Sequence, residues 1–136
     1  VATNFMLEIV TPDRTFFDGE VDMVILRTTE GDMAIMNDHE QMVAPVAIGS
    51  LRVRKQGEEK FREASCSGGF VTVTYEKTTV VTDSAEWADE IDMNRAKAAL
   101  QRAQKRLERR DSELDYARAL DSLSRATNRI RIVEKN

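Results

Sequence analysis

Arginines at repeating helical spacings are the residues of this sequence best suited to chemistry. Arg95, Arg102 and Arg106 recur at i, i+7 and i+11, and Arg118, Arg125 and Arg129 repeat the same spacing. On a helix each set shares one face. If two such helices pack antiparallel, the start of the first lies near the end of the second, bringing Arg95 and Arg102 towards Arg129 and Arg125. Guanidiniums held close repel unless an anion separates them, and the planar fork of arginine suits phosphate. A phosphorylated ligand is one reading of this pattern; solvated arginines lying along the helix surface are the other. A basic helix face also suits nucleic acid or an acidic protein surface. Nucleic acid is disfavoured, because Tyr116 is the only aromatic residue of the basic half and the rest of the chain is acidic.

Other chemistry finds little support. His39 is the only histidine and has no cysteine or serine context that makes a nucleophilic pair, so it reads as a surface loop residue. No Cys/His cluster has the spacing of a metal site. Gly68-Gly69 is too short for a phosphate loop and reads as a bulge or hairpin entry. Carboxylates are plentiful but fall in turns and on solvated faces. The sequence predicts a protein that is not an enzyme.

The arginines belong to a back half that differs in kind from the front. The seam is Ile91-Asp92-Met93-Asn94-Arg95-Ala96, after which there is no Gly and no Pro and good helix formers dominate. Residues 1–93 carry 8 basic and 18 acidic side chains, a balance of −10, whereas 94–136 carry 12 and 6, a balance of +6. The 136 residues suffice for one well-cored domain and an appendage. No apolar run approaches the ~20 residues that span a bilayer, and no basic and then apolar stretch opens the chain as a secretory signal would. Cys66 is the single cysteine and fits a reducing compartment. The expectation is a soluble, cytoplasmic protein.

The front half alternates short β-patterns with turn residues. Residues 4–10 set Phe5, Leu7 and Ile9 against Met6 and Glu8, the period of a half-buried strand, and Thr11-Pro12-Asp13 ends it. A short run at 15–17 is expected to stop at the turn pair Asp18-Gly19; 20–28 forms a third strand and 33–36 a fourth. Residues 37–41 read as a loop. Two hairpins follow, one pairing 50–55 with 60–66 and the other pairing 69–75 with 78–82. Many short strands at this spacing predict a β-sandwich. The acidic stretch 83–90 lacks β-branched residues and reads as a connector, with Trp87 packed over the junction of the two parts.

Helix one is expected over 91–109, with Asp92 at its start, where a carboxylate favours the helix N-terminus. Its apolar stripe is Ala96, Ala99 and Leu100, Ala103 and Leu107. After Arg110-Asp111-Ser112, helix two is expected over 113–133, with Ser112 and Asp115 at capping-box spacing and a stripe of Leu114, Ala117, Leu120, Ala126 or Thr127, and Ile130. The fold class is β plus α: an N-terminal β-sandwich over 1–86, then an antiparallel two-helix hairpin over 87–136. Alanine makes the seam of the hairpin thin, so it needs a ligand or a partner surface.

Several blocks together resemble the epsilon subunits of F-type ATP synthases. These are Leu7-Glu8-Ile9-Val10-Thr11-Pro12, Thr29-Glu30-Gly31, Gly68-Gly69-Phe70-Val71, the hairpin ending Val80-Val81-Thr82-Asp83-Ser84-Ala85-Glu86, and Ile91-Asp92-x-x-Arg95-Ala96. The resemblance covers essentially the whole chain. It implies a ten-stranded sandwich that docks on the rotor with the gamma subunit and the c-ring, and a regulatory hairpin that restrains ATP hydrolysis and meets the alpha and beta subunits when extended. It implies no nucleic acid, no direct membrane insertion, and a peripheral position on the cytoplasmic face of the cell membrane. In bacillus-like members the compact hairpin binds ATP as a regulatory ligand. Matched residue by residue, that site is Glu86, Ile91, Asp92, Arg95, Ala96, Arg102, Arg125 and Arg129; magnesium is left open. A purely mechanical brake without ATP is the alternative within the family, and a basic-hairpin nucleic-acid-binding or scaffold protein the alternative outside it. One segment departs from the family pattern. Where relatives commonly have Gly-Ile-Leu-Pro-x-His-Ala-Pro, this chain has Ala34-Ile35-Met36-Asn37-Asp38-His39-Glu40-Gln41, keeping the histidine and losing the glycine and both prolines.

Overall fold

A computed structural model describes residues 4–136. The chain divides into two compact units, one ending at Trp87 and the other running from Ala88 to Asn136. The first unit holds eight strands among the described residues: β1 Phe5–Val10, β2 Thr15–Val21, β3 Met23–Thr28, β4 Gly31–Met36, β5 Met42–Arg54, β6 Arg62–Val73, β7 Thr78–Thr82 and β8 Ala85–Trp87. Their hydrogen-bonded order is β2-β1-β7-β6-β5-β3-β4, with β8 also on β6.

The two long strands make a sandwich out of this single path. β5 has 13 residues and β6 has 12, and they stay paired over both arms of the fold. One arm of β6, Gly69–Val73, pairs with β7, whereas Ala64–Cys66 pairs with β8. β5 likewise meets β3 only through Arg52–Arg54. Each long strand therefore serves both layers. Counted by layer there are ten strand segments, five to a layer, which is how eight strands meet the ten-stranded expectation. Leu7, Ile9, Val24, Leu26, Leu51, Val71, Val80 and Trp87 fill the space between the layers.

The corner falls at Gly68-Gly69, in mid-strand. Both have positive φ, +94° and +150°, which L side chains rarely adopt. A Cβ on Gly69 would stand 1.8 Å from the carbonyl oxygen of Val81 on the neighbouring strand. Gly69→Ala is expected to cost about 2–3 kcal/mol, from backbone strain plus the displaced strand. Urea denaturation checks this; a midpoint equal to that of the parent protein would remove the glycine requirement.

Several strand boundaries differ from the sequence expectation. Asp18-Gly19 is no turn: β2 runs through it, with Asp18 opposite Glu8 and Gly19 opposite Leu7. Continuous pairing with β1 outweighs the local turn preference of that dipeptide. The expected strand 20–28 breaks instead at Asp22, whose N–H donates to the Arg54 carbonyl at 2.9 Å and whose carboxylate pairs with Arg54 Nε at 2.9 Å. The stretch 42–49, to which no strand was assigned, is the first half of β5; Pro45 is accommodated because β3 does not pair there. The connector reading of 83–90 fails at Ala85–Trp87, which pairs with β6, and holds for Ala88–Glu90, where the second unit begins. Trp87 is 6% exposed in the sandwich core and stacks on Phe16 at 4.6 Å.

The second unit is two helices, α1 Met93–Arg109 and α2 Glu113–Lys135, preceded by a short 3₁₀ turn at Ala88–Glu90 that packs on α2. The side chain of Asp92 accepts from Arg95 N at 3.2 Å, and Ser112 Oγ accepts from Asp115 N at 3.0 Å, so both expected caps form. Arg110 closes α1 in the left-handed conformation, φ 49°. The α1 stripe is as expected, with Ala96 and Ala103 buried and Ala99, Leu100 and Leu107 half-buried. The α2 stripe holds only in its second half: Ala126 is buried and Thr127 and Ile130 are half-buried, as expected, but Ala117 is exposed, Leu114 is 61% exposed and Leu120 42%, while Ala119, Asn128 and Ile132 are buried. A salt bridge from Arg106 to Asp115 ties the end of α1 to the start of α2. The buried residues of the two helices are mostly Ala96, Ala103, Ala119 and Ala126, so small residues take the seam while Leu114 and Leu120 stay exposed.

Candidate functional site

Seven of the eight expected site residues lie in the helical unit, and Glu86 lies on β8 of the sandwich unit. The sequence builds the local arrangement around Asp92. Its extended backbone, φ −85° and ψ 108°, ends the 3₁₀ turn, and its carboxylate closes the first turn of α1. Ile91, half-buried, precedes the cap, and Ala96 is buried one turn inside the helix. That fixes the rotation of α1 and leaves Arg95 and Arg102 on its exposed side. Neither makes an ion pair among the described residues.

Arg125 and Arg129 lie in the C-terminal half of α2, the end that an antiparallel hairpin brings back towards the start of α1. Arg125 is half-buried and donates from Nη2 to Ser122 Oγ at 3.1 Å, a serine that sequence reasoning missed although its i, i+3 spacing was available. Arg129 is half-buried as well. Arg106 leaves the predicted arginine face altogether, donating to Asp115 Oδ1 at 2.9 Å. Arg110 is drawn over the Tyr116 ring at 4.4 Å, so the one aromatic of the basic half is already covered. What remains is a helix N-terminus with arginines on both helices of the hairpin. Such an arrangement can hold an anion with several oxygens, since helix N-termini and guanidiniums both favour phosphate.

Glu86 is half-buried opposite Ser65 of β6. His39 is half-buried in the loop before β5, where its Nδ1 lies 2.9 Å from the Glu40 carbonyl oxygen. With Glu20, Met36, Tyr75 and Lys77 it lines a cleft of about 340 Å³ at one end of the sandwich. Lys77 is tied to Glu8 at 3.2 Å, and no nucleophile with a base beside it lines that cleft. Cys66 is buried, 3.4 Å from Thr82 Oγ1, and burial pushes its thiol up, away from nucleophilic reactivity. Among the described residues no group of three or more His, Cys, Asp or Glu is placed to hold a metal ion.

Comparison with known proteins covers both units. Residues 4–88 match the family described as ATP synthase, Delta/Epsilon chain, beta-sandwich domain, and 89–134 match its long alpha-helix domain. The chain is 46% identical over 130 residues to the ATP synthase epsilon chain of Alkaliphilus metalliredigens, covering 96% of each. It is 55% identical over 107 residues to that of Alkaliphilus oremlandii, covering 79% of this chain and 78% of the relative. Among solved structures it is similar to a chain of the Euglena gracilis mitochondrial ATP synthase (OSCP, F1 and c-ring, rotational state 1). There the TM-score is 0.80 at 25% identity, covering 94% of this chain and 80% of that one.

Proposed function

This chain belongs to the ATP synthase delta/epsilon family, and from that premise we propose that it is an ATP-sensing brake on hydrolysis in a bacterial F-type ATP synthase. It is a non-catalytic epsilon-type subunit of the central stalk. In the proposed role the sandwich docks on the gamma subunit and the c-ring, and the hairpin carries the regulation. The complex holds it at the cytoplasmic face of the cell membrane. No helix among the described residues is long and apolar enough to cross a membrane.

The observation that supports ATP sensing is the Asp92 cap on α1, with Arg95 and Arg102 exposed and without carboxylate partners. In the proposed site Arg95 and Arg102 hold phosphate oxygens together with Arg125 and Arg129 of α2. Ile91 and Ala96 give the site its apolar wall. A triphosphate supplies the negative charge that relieves repulsion between the guanidiniums.

Calorimetry of the full chain with ATP, ADP and GTP tests the reading. ATP is expected to bind with a stoichiometry of one and to remain unhydrolysed, because no P-loop lysine and no acid/base pair is present to activate water. Absence of heat with all three nucleotides would remove the sensing role. Phosphate release above a buffer blank would overturn the non-catalytic assignment of the site.

A further inference from the structure

At the turn of the hairpin one carboxylate has its two oxygens in unlike surroundings. Asp115 stands at the third position of α2, after the cap Ser112. Its Oδ1 accepts from Arg106 Nη2 of α1 at 2.9 Å. Its Oδ2 is buried and has no hydrogen-bond partner among the described residues. In a full capping box the side chain at this position returns a bond to the backbone N–H of the cap. Here half of the box forms: Ser112 Oγ accepts from Asp115 N at 3.0 Å, while the carboxylate turns to α1 instead. The neighbouring cations are engaged elsewhere, Arg109 with Asp111 at 3.8 Å and Arg110 over the Tyr116 ring at 4.4 Å. Arg106 is the one ion-pair partner of Asp115 among the described residues.

The two members of this bridge are not equivalent. Their side chains are equally exposed, Arg106 at 31% and Asp115 at 30%, but none of the Asp115 exposure falls on Oδ2. An arginine that loses its partner can swing its long side chain and put its guanidinium into water. The shorter aspartate, fixed on the first turn of α2 and facing α1, keeps an oxygen away from water while the helices stay together. Removing one member of a pair costs most where the charge left behind stays buried, and neutralising both members costs little. The closed hairpin therefore depends on Arg106 more than on Asp115. Separating the helices gives both carboxylate oxygens to water.

We propose that Asp115 is a conditional latch of the hairpin: it holds α2 to α1 while Arg106 is bound to it, and favours separation of the helices once Arg106 is withdrawn. This rests on the hairpin having an open position, as in the proposed function. The latch sits at the turn, at the opposite end of α1 from Asp92 and Arg95. It biases the closed form without being part of the nucleotide site.

Amide hydrogen exchange of the full chain without nucleotide tests the latch, with the sandwich strands as internal reference. Arg106→Gln keeps the stem of the side chain over the carboxylate and removes the charge. It is expected to speed exchange in α1 and α2 about fivefold or more, the effect of leaving a buried acceptor unsatisfied. Asp115→Asn removes the buried charge together with the ion pair and should speed exchange far less. The double substitution Arg106→Gln, Asp115→Asn should return exchange towards the parent rate, a recovery that an ordinary stabilising contact does not give. Equal exchange in the parent and Arg106→Gln would overturn the proposal. So would equal exchange in Arg106→Gln and the double variant, which would make the bridge a simple additive contact. With no nucleotide present the result is independent of ATP binding, which the calorimetry decides separately.

Discussion

Alanine at both Asp92 and Arg95 is expected to weaken ATP binding by roughly 100-fold or more, while Arg110→Ala leaves it close to the parent value. A lost charge-assisted hydrogen bond is worth about 1.5–3 kcal/mol, and two at the lower limit amount to about 100-fold in affinity. Each single substitution should cost about tenfold or more. Arg110 is the proper control because it is also an arginine of the hairpin, but it closes the far end of α1 and stacks on Tyr116. Asp92 has two duties that need separating, since its carboxylate also caps the helix that presents Arg95. Asparagine caps as well as aspartate, so Asp92→Asn keeps the helix start and removes the charge. Parent affinity in Asp92→Asn with a loss in Asp92→Ala would confine Asp92 to the cap. Unchanged affinity in both Asp92→Ala and Arg95→Ala would take the motif out of the site.

The part of this arrangement legible in the sequence is the part decided by near neighbours in the chain. The alternation at Leu7 and Ile9 gives two fully buried residues, and Asp92 and Ser112 cap the helices they precede. Features decided by distant pairing were hidden. Asp18-Gly19 reads as a turn until β1 is laid beside it, and Pro45 and Gly49 disguise a 13-residue strand whose continuity depends on β6. Trp87 reads as a junction residue because its stacking partner, Phe16, is 71 positions earlier in the chain. The same limit applies within the hairpin. The 3.6-residue period gives the α1 stripe correctly, but on α2 the choice between the Leu114 face and the Ala119 face depends on register. Neither helix alone decides that packing, and the Arg106–Asp115 pair likewise engages an arginine that spacing left available. Spacing therefore identifies which residues share a helix face, and pairing between helices decides which of them remain available to a ligand.

Removing every residue after Asp89 is expected to raise ATP hydrolysis by inverted membrane vesicles about tenfold, the factor that corresponds to a braking bias of about 1.4 kcal/mol. The cut leaves the sandwich whole, because β8 and Trp87 lie before it and the core cluster contains no residue beyond Trp87. Assembly and proton-coupled synthesis should accordingly persist. The hairpin suits a two-position device because little holds it closed. Its buried seam is mostly Ala96, Ala103, Ala119 and Ala126, and each alanine removes far less apolar area from water than a leucine would. The Arg106–Asp115 bridge is about one-third exposed on each side, and partly solvated pairs of this kind contribute about 1 kcal/mol or less. A ligand that binds only the closed form stabilises it by RT ln(1 + [L]/Kd), about 2.7 kcal/mol at a hundredfold excess over Kd. In the proposed role that contribution disappears as ATP falls, and opened helices would present Arg118, Arg125, Arg129 and the exposed Leu114 and Leu120 to acidic and apolar surfaces of the alpha and beta subunits. On the proposed function the truncation removes sensor and brake together. Hydrolysis in truncated vesicles should also lose its dependence on ATP pre-incubation, which full-length vesicles retain. Identical hydrolysis rates in the two preparations, at equal subunit occupancy, would leave the hairpin without a braking role.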